Sequence, residues 1–212
     1  MRLARQKERG DTIIEVLFAV TVFALVAVGS MAIMNQGTAA SQRALEITLV
    51  RQQVDAQAQA LRYIHQSYVA AFQRNGTPTA GTTAAEWTTI KNRAAGSASD
   101  FGATTGTSCP TSVPGEAPFI LNARTAEVWD SSISMLPPEG ESLPPFAQII
   151  YNEDGSNSIK NAYGIWIEAV PSATEEPGTP GFIDFHIRAC WESAGSPVPS
   201  TLGTIVRLYE PR

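Results

Sequence analysis

An α+β protein, with a long N-terminal helix packed on a C-terminal antiparallel sheet, follows from three features of the sequence. Proline is missing from Asp11 through Arg74, where apolar residues first run without interruption and then recur at helical spacing. Beyond residue 118, short apolar runs of alternating polarity are separated by clusters of Gly, Pro, Asn and Asp. The length fits this layout, since 212 residues can bury the core of one domain and still carry an appendage. Charged residues make up 17% of the chain, hydrophobic ones 43%, and there are 16 Gly and 14 Pro, a composition that is neither disordered nor collagen-like. The net charge of -5 argues against a phosphate-binding surface, so nucleic acid is not an expected partner.

The near-zero mean hydropathy of the chain pools two unlike pieces. Residues 1–10 form a basic leader, with Arg2, Arg5, Lys7 and Arg9 against Glu8. Val16 to Met34 then reads VLFAVTVFALVAVGSMAIM, nineteen positions without a charge. As a helix this stretch measures roughly 28 Å, close to the hydrocarbon thickness of a bilayer. The basic residues ahead of it are expected to stay cytoplasmic while the chain beyond is exported. The predicted boundaries are therefore a leader at 1–10, a membrane helix at 11–37, its amphipathic continuation at 38–76 and an exported globular domain at 77–212.

The continuation is read from Leu45, Leu49, Val54, Leu61, Ile64, Tyr68 and Phe72, which recur near intervals of three, four or seven, while Gln and charged residues fill the other faces. Asn75-Gly76, followed by Pro78, is a helix stop. Sixty-four residues of unbroken helix would be about 96 Å long, too long for the core element of an ordinary domain. Two environments, one for each half, explain the length.

Downstream, Thr83-Ala-Ala-Glu86 fits a capping box and predicts a short helix through Trp87 and Ile90 to about Arg93. Gly96 to Pro118 is expected to be loop. Strands are predicted at Phe119–Asn122, Phe146–Tyr151, Tyr163–Val170, Ile183–Trp191 and Leu202–Tyr209, joined as an antiparallel meander with one apolar face for the helix.

Residues able to carry chemistry are few. His65 and His186 have no Cys or carboxylate at metal-ligand spacing, and the sequence holds no G-x-S-x-G, phosphate loop or H-E-x-x-H. Asn152-Glu-Asp-Gly-Ser-Asn157 lacks the later bidentate Glu of a calcium loop and reads as a hairpin turn. No enzymatic activity, metal or cofactor is expected. Trp87, Trp129, Trp166 and Trp191 are core aromatics or, where exposed, adhesive contacts. Cys109 and Cys190 both lie in the exported part, where an oxidising compartment favours a bridge over two free thiols.

One carboxylate needs an explanation, because Glu15 stands at the entrance to the apolar run and a membrane carboxylate is costly without a partner. An ordinary secretory signal places its cleavage site after the apolar stretch, whereas here Gly10 and the polar pair Asp11-Thr12 precede it. The segment KERGDTIIEVLFAVTVFALVAVG resembles the class III leader of type IV prepilins and pseudopilins: a short basic leader, Gly, then an apolar helix whose fifth residue is Glu. The resemblance implies a pilin-like fold, cleavage between Gly10 and Asp11 by a prepilin peptidase, and a role for Glu15 in accepting the N-terminal amine of a neighbouring subunit. It also implies other pilin subunits, a membrane assembly platform and its ATPase as partners, with the chain a minor pilin in a cell-surface filament. A type II secretion pseudopilin, a DNA-uptake pilin and an uncleaved membrane-anchored binding domain are the alternatives. The sequence departs from the family at Asp11, where an apolar first residue is usual, and in the absence of proline from the apolar helix.

Overall fold

The computed structural model describes residues 13–76, 78–94, 108–113, 117–129, 144–172, 181–193 and 195–211. Helix α1 runs from Ile13 to Asn75, as the proline-free stretch predicts. It ends where Gly76 adopts φ +75° and donates its N–H to the Phe72 carbonyl at 2.9 Å, a left-handed closure that glycine makes without steric cost. Residues up to Ala44 and residues from Leu45 onward form two separate units.

In the first unit the large apolar side chains of α1 are exposed in all directions. Three of its hydroxyl side chains bond within the helix. Thr21 and Ser30 donate to the carbonyls of Phe18 and Val26, each at 2.8 Å, and Thr38 to that of Asn35 at 3.0 Å. Such bonds satisfy these three hydroxyls without water.

In the second unit α1 buries one stripe, Val50, Val54, Ala58, Leu61, Ile64 and Tyr68, at intervals of three and four. Leu45, which the periodicity places on that stripe, is instead exposed, since the buried face begins at Val50. Gln57 is also fully buried, and its amide takes the place of a strand partner. Its Nε2 donates to the Leu121 carbonyl and its Oε1 accepts the Leu121 N–H, both at 2.7 Å. Helix α2, Thr83–Lys91, buries Ala84 and adds Trp87 and Ile90 to the same core.

The expected capping box is corrected. Thr82 occupies the N-cap without a side-chain cap bond, its hydroxyl donating to the Thr79 carbonyl. Glu86 turns away from the helix start and accepts the Val128 N–H at 3.1 Å.

The strands form three antiparallel sheets in place of one meander. Strands β1, Ile120–Asn122, and β2, Glu127–Trp129, make a hairpin that the sequence reading lacked. Its turn is built by Asn122, whose Oδ1 accepts the N–H groups of Arg124 and Thr125. Strands β3, Gln148–Tyr151, and β4, Ile159–Tyr163, pair across the Asn152–Ser158 turn, so the segment read as a hairpin turn is a hairpin tip. Strands β5, Ile165–Pro171, β6, Phe182–Trp191, and β7, Ser200–Tyr209, form the third sheet in that order. A two-way bond pair between Phe119 and Ile167 joins the β1 end to β5.

The run expected as one strand from Tyr163 is broken at Gly164. Gly164 has φ +62°, and a Cβ there would lie 2.1 Å from the Cys190 carbonyl oxygen, so only glycine fits. The kink sends β4 to one sheet and β5 to another. Ile165, Ile167 and Ala169 of β5 and Ile183, Phe185, Ile187 and Ala189 of β6 face the helices and fill the core.

Candidate functional site

The residues singled out by sequence fall in two places. The first is the start of α1. Glu15 lies in its first turn, where the unpaired N–H groups and the helix dipole favour a carboxylate. Gly10 and Asp11 lie outside the described residues. Directly after Glu15 come Val16, Leu17, Phe18, Val20, Val22, Phe23, Leu25, Val26 and Val28, all exposed. The helix is long and apolar enough to cross a membrane, and none of that stretch is buried within the chain. An apolar surface on every side of a helix suits a bilayer or a bundle of like helices, and it cannot remain in water.

The second place is the side of the β5-β6-β7 sheet that faces away from the core. Cys109 and Cys190 are joined there in a disulfide with a Cα separation of 5.7 Å, spanning 81 residues. The bridge pins the segment around Cys109 and Val113 onto Trp166. The Cys190 N–H donates to the Gly164 carbonyl at 2.8 Å, so the bridge and the strand break share one anchor. Beside them Glu168 Oε1 accepts from Trp166 Nε1 at 2.8 Å and from Arg188 Nη1 at 3.1 Å. Glu168 and Arg188 are both buried, and such a pair keeps its charges only because each is matched. Sequence reasoning missed this pair, because the two residues become diagonal neighbours only once the β5–β6 register is known: Trp166 stands opposite Arg188, and Glu168 opposite His186.

The same face holds a groove of about 510 Å³ lined by His186, Arg188, Gly203, Thr204 and Ile205. Burial, reinforced by Arg188, pushes the His186 imidazole below its ordinary value, against the opposing pull of Glu168 and Asp184. His65 instead joins the core edge, with Nε2 2.8 Å from the Tyr209 carbonyl oxygen and its ring edge-on to Trp87. Trp87, Trp166 and Trp191 are buried and Trp129 is half-buried, so all four are packing residues. At the C-terminal end of β6, next to Cys190, Glu46 of α1 accepts from Trp191 Nε1 at 3.1 Å and from the Ser193 hydroxyl.

Chemically, the first place offers a large apolar surface with one carboxylate at its head. The second offers a covalently braced platform. No protein-family model, curated protein or solved structure matches the chain.

Proposed function

We propose that this chain is a structural subunit of a type IV pilus-like filament, a minor pilin with a pilin-like fold. It is held in the cell membrane by the first half of α1, processed after Gly10, and assembled with its domain outside the cell. The observation that carries the reading is the apolar surface from Val16 to Met34, exposed all round and headed by Glu15 in the first helical turn. Lipid tails are as apolar as leucine, so moving this helix from bilayer to helix bundle changes its hydrophobic free energy little. The charge therefore decides docking. An unpaired carboxylate costs on the order of 3 kcal/mol at the centre of a bilayer and less towards its edge, and the amine of a neighbour's new N terminus offsets that penalty for Glu15. Partners on this reading are other pilin subunits, a prepilin peptidase, and an assembly platform driven by its ATPase.

The mature N terminus tests the proposal by mass spectrometry of chain recovered from cells with an active prepilin peptidase. A chain that begins at Asp11 is the expected result, and one that begins at Met1 identifies an uncleaved anchored domain instead. Glu15→Ala is expected to insert into membranes normally but to be depleted from filaments, and normal incorporation would remove the docking role.

A further inference from the structure

Charge is distributed unevenly beyond the apolar helix. Residues 77–212 carry seven Lys and Arg against fifteen Asp and Glu, net -8, whereas residues 38–76 carry four Arg against two acidic residues, net +2. On the second half of α1, Arg51, Asp55, Gln59, Arg62, Gln66 and Gln73 are all exposed. At about 100° per residue they share one face, turned away from the stripe of Val50, Val54 and Leu61. Among the described residues neither Arg51 nor Arg62 forms an ion pair.

The two arginines are not equivalent. Arg51 is one turn, about 6 Å, from Asp55, which offsets its charge, whereas Arg62 is about 10 Å away along the axis, near the screening length of physiological salt. Arg62 is flanked instead by Gln59 and Gln66 at i−3 and i+4, whose amides add N–H donors to the guanidinium fork. The cluster is suited to a carboxylate.

The chain presents such a carboxylate on a rigid mount. At the β3–β4 tip, Glu153 and Asp154 are exposed. Asp154 Oδ1 accepts the Ser156 N–H at 2.9 Å, and Asn152 closes the turn through its N–H to the Ser158 carbonyl at 2.9 Å and its Nδ2 to the Ser158 hydroxyl at 2.7 Å. Asp154 is thus committed within the turn, which leaves Glu153 to reach outward.

We propose that Arg62, with Gln59 and Gln66, receives Glu153 from the β3–β4 turn of a second copy of this chain. In a filament the contact is used head to tail, each copy offering its turn to one neighbour and its helix face to another, as an open heterologous assembly requires. The inference rests on the filament reading for bringing copies together.

Photocrosslinking of the full-length chain in native membranes tests it, using mixed isotope-labelled and unlabelled copies with a photoreactive phenylalanine in place of the neighbouring exposed Tyr63 or, separately, of Val22. The Tyr63 probe is expected to join the 152–158 peptide of the other isotopic copy. Arg62→Glu or Glu153→Arg alone should lower that yield about five-fold, and the charge-swapped double variant should restore it. A Tyr63 cross-link to another surface, another protein or lipid overturns the contact. Cross-linking between copies at Val22 but not at Tyr63 overturns the contact and leaves the filament reading intact, whereas loss of both overturns both.

Discussion

Helix α1 is one continuous helix with two opposite fates for its apolar side chains. Ile13, Phe18, Phe23 and Leu25 are about three-quarters exposed, while Val50, Leu61 and Ile64 are fully buried. Helix propensity does not separate them. The difference is in pattern, since the first half is apolar on every face whereas the second, from Val50 onward, gathers most of its large apolar residues on one stripe and places Gln and Arg on the opposite face. A stripe can be satisfied by one sheet of its own chain. A cylinder needs partners on all sides, and that requirement is met only by a membrane or by other helices.

The largest effect expected from this contrast concerns the brace on the second half's domain. Replacing Cys109 and Cys190 by Ser removes a link across 81 residues, which on the chain-entropy model costs about 4 kcal/mol. All four Trp lie beyond α1, so Trp fluorescence during denaturant unfolding in detergent reports on the domain, while the helicity of the first half should be unchanged. Core substitution comes next. Leu61→Ala is expected to lower domain stability by about 3 kcal/mol. Leu25→Ala should leave the same curve in place, and a matched loss would mean that the two halves of α1 are not distinct.

Much of this contrast is legible in the sequence because it is local. The missing proline, the unbroken apolar run and the later stripe need only neighbours within a few residues, and the compartment implied by the leader pointed to the Cys109–Cys190 bridge. What was not legible depends on distant atoms. Gly164 sits inside an apolar run like any strand glycine until the Cys190 carbonyl is placed against it. Glu86 has capping-box spacing, yet the Val128 N–H offers it a bond across the core. Glu168 and Arg188 are twenty residues apart and meet only through strand register. Of the candidate site, Glu15 falls in the first turn of α1 as read, while Gly10 and Asp11 lie outside the described residues.

Polar side chains sharpen the contrast with a smaller effect. Gln57→Ala deprives the buried Leu121 of partners for both its N–H and its carbonyl, and the two unsatisfied groups should cost the domain about 2 kcal/mol. Thr38 in the first half bonds only to its own helix. Thr38→Ala should therefore not move the Trp unfolding curve.

The smallest effect expected is electrostatic and belongs to the domain alone. Burial holds the His186 imidazole below its ordinary value, with Arg188 adding to the effect and Glu168 and Asp184 opposing it. Once pH falls below about 6.5 the unfolded chain binds a proton at this position more readily than the folded one, so the stability contributed by neutral His186 is present above that pH and declines as pH falls towards the folded value. The urea midpoint should accordingly drop between about pH 7.5 and 5.5, and His186→Gln should flatten that slope. Because His186 faces the outward groove with Ile205 and Gly203, the response should be the same whether the first half of α1 is held in detergent or in a bilayer. A slope that depended on that environment would show that the groove senses the apolar half and would break the separation of the two regions.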